Sequence, residues 1–206
     1  MKRIGFFILM GLIFINKVDA EQPVKNVKAF NVQTKESKVF WTGKKVSGKH
    51  TGEISLKDGE IVLNGNKFVS ANINIDMSSI ICSDITNEQW NKKLIGHLKS
   101  DDFFSVEKFP ESNFKTTQFT KIQNAKPDEA NYTVKGILSI KGISHEITFP
   151  AKLEMRNDAL WVDALLSVDR TKWDIKYGSG SFFDDLGDNM IHDMFEIKFQ
   201  LVSRIN

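Results

Sequence analysis

Four histidines, His50, His97, His145 and His192, and a single cysteine, Cys82, are the side chains from which nucleophilic or metal chemistry would have to be assembled. A structural zinc site draws on closely spaced pairs of His or Cys, and none of these five residues has such a neighbour along the chain. No metal site is therefore expected. Ser139, Ser144 and His145 could suggest a nucleophile with its base, but there is no Gly-x-Ser-x-Gly elbow and no recognisable third member. Acid–base chemistry would need His97, Asp102 or His50 to converge near one substrate, which leaves an enzyme acting on a lipid or small apolar molecule as an alternative. Asp169-Arg170-Thr171 stands at a strand end, where such a pair ties down a loop. Cys82 lies in an apolar stretch and reads as a buried, inert thiol. The expectation is a protein that is not an enzyme, with no catalytic residues and no cofactor.

The elements that would position these residues are strands. Beyond residue 25 the dominant period is two, the mark of a sheet with one face buried. In Ala71-Asn72-Ile73-Asn74-Ile75-Asp76-Met77 the apolar and polar residues separate cleanly onto opposite faces. The same alternation places Val134, Leu138 and Ile140 on one face with Gly136. It recurs through Phe149, Ala151 and Leu153, and again through Phe195, Ile197, Phe199 and Leu201. Lys57-Asp58-Gly59, Gly142 and Arg156-Asn157-Asp158 read as turns between antiparallel neighbours. Eight or nine strands result, and closing them into a barrel leaves no exposed edge. The fold class is all-β, an antiparallel barrel of about eight strands. One helical excursion interrupts it around residues 86–107, where Leu94, Ile95 and Leu98 fall at helical spacing and Thr86 with Gln89 could form a capping box.

Bulk properties narrow the function. Acidic and basic residues nearly balance, with a net charge of +2, so nucleic-acid binding has no electrostatic footprint. Sixteen phenylalanines against two tyrosines and four prolines suit an apolar interior rather than a disordered chain. At the N-terminus Lys2 and Arg3 precede an apolar run over residues 4–15 and the small-residue end Val18-Asp19-Ala20. That order predicts a secretory signal peptide over residues 1–20, cleaved after Ala20, and one domain over residues 21–206. The run is shorter than the roughly 20 residues that span a bilayer. With no cysteine at the cut there is nowhere to attach a lipid anchor, so a periplasmic or secreted protein is expected.

Several strings, in this order and spacing, are more specific than composition. They are Trp41-Thr42-Gly43-Lys44-Lys45, then Gly48-Lys49-His50-Thr51-Gly52, then His97-Leu98-Lys99-Ser100-Asp101-Asp102-Phe103-Phe104 with Lys108-Phe109-Pro110. Later come Gly136-Ile137-Leu138-Ser139-Ile140-Lys141-Gly142 and Val168-Asp169-Arg170-Thr171-Lys172-Trp173. On these the chain resembles the YceI-like proteins over nearly its whole length beyond the leader. The resemblance implies an exported bacterial barrel of lipocalin-like fold whose lumen takes up a polyisoprenoid without altering it, in a family often linked to stress responses.

An eight-stranded barrel is either filled by its own side chains or left with room for one ligand. The inward candidates are Ile73, Ile75, Met77, Val134, Leu138, Ile140, Phe149, Leu166 and Phe199, with Gly136 and Ala151 expected to leave space. Trp41, His97, Phe103, Phe104 and Trp173 are candidate contacts at the barrel mouth. The expected partner is a long-chain isoprenoid or a quinone, held for storage or transport. A ligand-free barrel that binds a protein partner through Phe103-Phe104 or residues 178–188 is the other alternative.

Overall fold

A computed structural model describes residues 26–205. The signal-peptide reading of residues 1–20 lies outside the described residues. The chain forms β1 (Val27–Val32), β2 (Lys38–Lys45), β3 (Gly48–Asn64), β4 (Lys67–Cys82), α1 (Glu88–Lys99), β5 (Glu111–Lys121), β6 (Tyr132–Ile140), β7 (Ile143–Arg156), β8 (Ala159–Asp169) and β9 (Ile191–Arg204). Every strand pairing is antiparallel. The sheet runs β3-β2-β9-β8-β7-β6-β5-β4, and β4 pairs back onto β3, closing eight strands into a barrel. The ninth strand, β1, pairs with the far half of β3 and the end of β9, continuing at the opposite end of the barrel the place that β2 fills at the mouth.

Local chemistry sets the hairpins. Ile140 pairs with Ile143 across Lys141 and Gly142, at φ 51° and 73°, and Arg156 pairs with Ala159 across Asn157 and Asp158, at φ 46° and 63°. Two consecutive positive φ values make the turn type whose twist matches the strands it joins. These two expected turns are observed.

The third is not. Lys57-Asp58-Gly59 does not divide two strands: β3 runs unbroken through it for 17 residues. The register slips there instead, since Leu56 faces Ile75 while Asp58 faces Asn74, so one residue is bulged out. Asp58 Oδ1 accepts from Asn74 Nδ2 at 2.5 Å. A side chain at Gly59 would meet Ile73 and Val32, each 2.9 Å from a Cβ placed there, which explains a glycine inside a strand.

The helical excursion is present, but its cap differs from the expected one. Asn87, not Thr86, is the N-cap of α1, and its side chain accepts the Trp90 N–H at 3.0 Å. Leu98 is buried on the barrel side, with Leu94 and Ile95 half-buried beside it. No helix among the described residues is long and apolar enough to cross a membrane.

The core has two parts. One, at the end remote from α1, joins Phe30, Ile61, Phe149, Leu153, Leu160 and Leu201. The other lies under α1 and joins Ile80, Leu98, Phe103, Leu138, Val168, Trp173 and Ile175. Trp173, Leu160 and Ile175 are fully buried, each contributing on the order of 1.5–3 kcal/mol.

Candidate functional site

Between the two parts of the core the inner faces of the strands do not meet, and a cavity of about 170 Å³ remains. A single water needs about 10–15 Å³ on this scale, so the space exceeds one water about tenfold. Its wall is hydrocarbon nearly throughout, because period-two strands send every second side chain inward and those side chains are Ile, Leu, Val, Met and Phe. Ser112, Arg170 and His192 break it. Ser112 is buried with its hydroxyl unpartnered, and Arg170 reaches the wall from the end of β8.

Eight of the nine inward candidates line this cavity: Ile73, Ile75, Met77, Leu138, Ile140, Phe149, Leu166 and Phe199. Val134 does not; it lines a smaller cavity of about 40 Å³ that Ile73, Phe149 and Phe199 also border. Sequence reasoning missed Ile54, Leu56, Ile80 and Phe114, which share the larger wall with Ile147 and Ile197 from the alternating runs of Phe149 and Phe199. The alternation of Ile54 and Leu56 was a usable signal, obscured by reading a turn directly after them.

Gly136 does not open the lumen. A Cβ there would fall 2.5 Å from the Phe114 ring, so the ring already occupies the space the glycine leaves. Ala151 is buried and borders the smaller cavity.

At the mouth, Trp41, Phe103 and Phe104 line the cavity, whereas His97 and Trp173 do not. Trp41 lies across Gly52, where a side chain would strike its ring at 2.7 Å, and donates from Nε1 to Ile81 O at 3.0 Å. Phe103 is buried and Phe104 half-buried, packed edge-on with centroids 5.2 Å apart, so the pair forms a fixed wall under α1. Trp173 is corrected from mouth contact to core: it is fully buried and donates to Leu138 O at 3.2 Å. His97 is likewise withdrawn into packing, 4.3 Å from the Tyr177 ring and 5.7 Å from that of Phe103.

The residues weighed for chemistry do not assemble in the lumen. Ser139 and Ser144 bond each other across their hairpin at 2.7 Å, while the His145 ring contacts Lys172 O at 2.8 Å. Asp102 is exposed. His50 instead meets Asp84 at 2.9 Å beside Cys82. Burial pushes the Cys82 thiol up from its ordinary pKa, the opposite of an activated nucleophile.

Arg170 is the loop tie that its place at a strand end suggested. Asp169 caps the 3-10 turn Arg170–Trp173 by accepting the Thr171 N–H at 3.0 Å. Arg170 donates to the carbonyls of Ile175, Ile191 and His192 at 2.7–3.1 Å. Burial lowers its pKa and the charges of Asp193 and Asp169 oppose that shift.

This closed barrel with a helix across its mouth can be compared with known proteins. The YceI-like domain matches residues 30–203, nearly all of the described chain. The chain belongs to the YceI-like family. UPF0312 protein YE1254 of Yersinia enterocolitica is 35% identical over 65 residues, covering 32% of this chain and 31% of that protein's length. Among solved structures, BcnA of Burkholderia cenocepacia superposes with a TM-score of 0.61 at 23% identity, over 83% of this chain and 98% of BcnA. A polyisoprenoid binding domain from Saccharophagus degradans gives 0.61 at 12% identity, over 87% and 99%. At these identities the likeness is one of fold, and it extends to the lipocalin-like closure of this YceI-like barrel.

Proposed function

We propose that this YceI-like protein is an exported carrier that holds a long apolar chain, of isoprenoid or isoprenoid-quinone type, in the barrel lumen. The observation that carries the reading is the hydrocarbon wall of the 170 Å³ cavity. A fold neighbour described as a polyisoprenoid binding domain supports the ligand class, and the leader-like residues 1–20 support export to the periplasm or medium.

The energetics favour long ligands. Each buried CH₂ contributes about 0.8 kcal/mol, and association costs at least about 4 kcal/mol. Micromolar binding corresponds to about 8 kcal/mol, so roughly fifteen carbons must be buried to reach it. Short apolar molecules fall below that threshold and polyprenyl chains exceed it. No covalent chemistry is assigned, and binding needs no polar anchor.

Mass spectrometry of an organic extract of the protein, purified without detergent alongside an unrelated exported protein, tests this. An isoprenoid near one equivalent, absent from the control, is the expected result. An empty extract together with no uptake of added polyprenol would overturn it and favour a partner-binding barrel.

A further inference from the structure

The strand pair that closes the barrel ends in three metal-ligating side chains from two stretches of the sequence, His50 and the pair Cys82 and Asp84. Gly52 in β3 faces Cys82 in β4, so His50, two residues back along β3, lies on the same face as Cys82. Asp84, just past β4, turns over both. Its Oδ1 accepts the Thr51 N–H at 2.7 Å and the Cys82 thiol at 3.3 Å, and its Oδ2 lies 2.9 Å from His50 Nδ1. Imidazole nitrogen, thiol sulfur and carboxylate oxygen all lie within 4.8 Å of one another.

We propose that His50, Cys82 and Asp84 form a binding site for a thiophilic divalent cation of the zinc type at the rim of the barrel, with solvent completing its coordination.

The geometry suits that ion. Zinc bonds of about 2.0–2.3 Å place tetrahedral donors roughly 3.3–3.8 Å apart; Asp84 already lies 2.9 Å from His50 and 3.3 Å from Cys82, and with all donors within 4.8 Å of one another any remaining closure is about an ångström at most. His50 and Asp84 can supply the movement, their side chains being 33% and 34% exposed, while Cys82 is buried and fixed. The backbone beneath is held: Ser83 N–H donates to Thr51 O at 2.8 Å, and Asn91 Nδ2 donates to Cys82 O and Ile85 O, each at 2.9 Å. The Thr51 N–H orients the carboxylate from outside, as a second shell does around a metal ligand.

The donor set is selective. One sulfur, one nitrogen and one oxygen suit zinc or cobalt, whereas magnesium and calcium call for oxygen alone. The Asp84 carboxylate is oriented by the Thr51 N–H and faces both the His50 ring and the Cys82 thiol, so it brings an anionic oxygen to the site. On binding, the Cys82 thiol releases its proton to solvent as the sulfur–metal bond forms, the His50 Nδ1 proton passes through solvent to Nε2 so that Nδ1 is free to ligate, and the carboxylate exchanges its contacts with Cys82 and His50 for the cation. The partly exposed His50 and Asp84 leave the ion a way in.

Titration of the untagged full-length protein with cobalt chloride, followed by zinc chloride, reads the site directly. Wild type is expected to bind one equivalent of cobalt, with a thiolate-to-cobalt charge-transfer band and the intense visible bands of a four-coordinate ion, both bleached by one equivalent of zinc. Cys82→Ser removes the charge-transfer band. His50→Gln and Asp84→Asn each weaken cobalt binding at least about tenfold. Absence of the charge-transfer band in wild type overturns the proposal, as does wild-type affinity in both His50→Gln and Asp84→Asn, since the triad is then only a hydrogen-bonded staple. Should Cys82→Ser fail to fold, the other two variants, which alter partly exposed side chains, decide the matter alone. Lipid content is not read in this experiment, so its outcome is independent of the carrier reading.

Discussion

Arg170 Nη2 lies 3.5 Å from Asp193 Oδ1, and the arginine side chain is 2% exposed against 23% for the aspartate. The cation is thus inside the protein and its partner is at the edge. The same guanidinium binds three carbonyls, one at Ile175 and two at the start of β9, so it acts as a clamp on both ends of the segment that joins β8 to β9. Replacing it leaves buried acceptors without donors and a carboxylate without its charge partner. Arg170→Met is expected to cost about 3–5 kcal/mol of stability in urea unfolding. Arg170→Lys recovers only part, because an ammonium cannot span the same fork.

Asp193 gives the acid limb of stability a defined component. Burial works against its charge, but the hydroxyls of Ser179 and Ser181 and the Arg170 charge outweigh it and hold the carboxyl below its ordinary 3.8. A depressed native pKa means stability that is fully present above the unfolded value and lost as pH falls through the native one. Unfolding followed from pH 7 down to pH 2 should show this loss below about pH 4, and Asp193→Asn should flatten that part of the profile.

Filling the lumen should separate binding from folding. Leu166 lies on the cavity wall and is only half-buried, so a larger ring can occupy the void. Leu166→Trp is expected to reduce retained or added isoprenoid by at least about tenfold, the loss of about two buried CH₂ groups, while shifting stability by no more than about 1.5 kcal/mol. Quantitative extraction and thermal unfolding of the same preparation measure both.

Two glycines on the barrel should respond oppositely to one methyl group. At Gly136 a Cβ meets the Phe114 ring at 2.5 Å and Lys115 O at 2.6 Å, whereas at Gly43 nothing lies within 4 Å. Gly136→Ala should cost about 1–3 kcal/mol through overpacking. Gly43→Ala should be neutral or stabilising by up to about 1 kcal/mol, since it lowers the entropy of the unfolded chain. Chemical denaturation of the two variants provides the comparison.

The start of α1 offers a sharper contrast, between adjacent residues. Asn87→Ala removes the acceptor for the Trp90 N–H and should cost about 1 kcal/mol. Thr86→Ala removes no such bond and should stay within about 0.5 kcal/mol. Equal losses at both positions would contradict the observed cap.

Much of the barrel was legible because its signals are local. Ile73, Ile75 and Met77 alternate with polar residues whatever their partners are, so their shared face follows from strand geometry alone. The hairpins at Lys141-Gly142 and Asn157-Asp158 follow from residues that tolerate positive φ. Asp58-Gly59 carries the same local signature and misleads, since whether it turns or bulges depends on Asn74 across the sheet and Val32 pressing from β1.

The candidate site divides along the same line. That the inward side chains are apolar is a property of the sequence; that a cavity survives among them depends on how every ring and branch packs, as Phe114 shows by filling the space beside Gly136. His97 and Trp173 belong to strings that mark the mouth, yet both are drawn into packing by Tyr177, Phe103 and the Leu138 carbonyl. By itself the sequence determined an all-β chain with one helical excursion and a dry inner face, because periodicity and turn chemistry act over a few residues. Only the tertiary structure decided the closure of β3 on β4, the volume left in the lumen and the meeting of His50 with Cys82 and Asp84. Register over long, bulged strands is set by the sum of many side-chain fits, which no local pattern encodes.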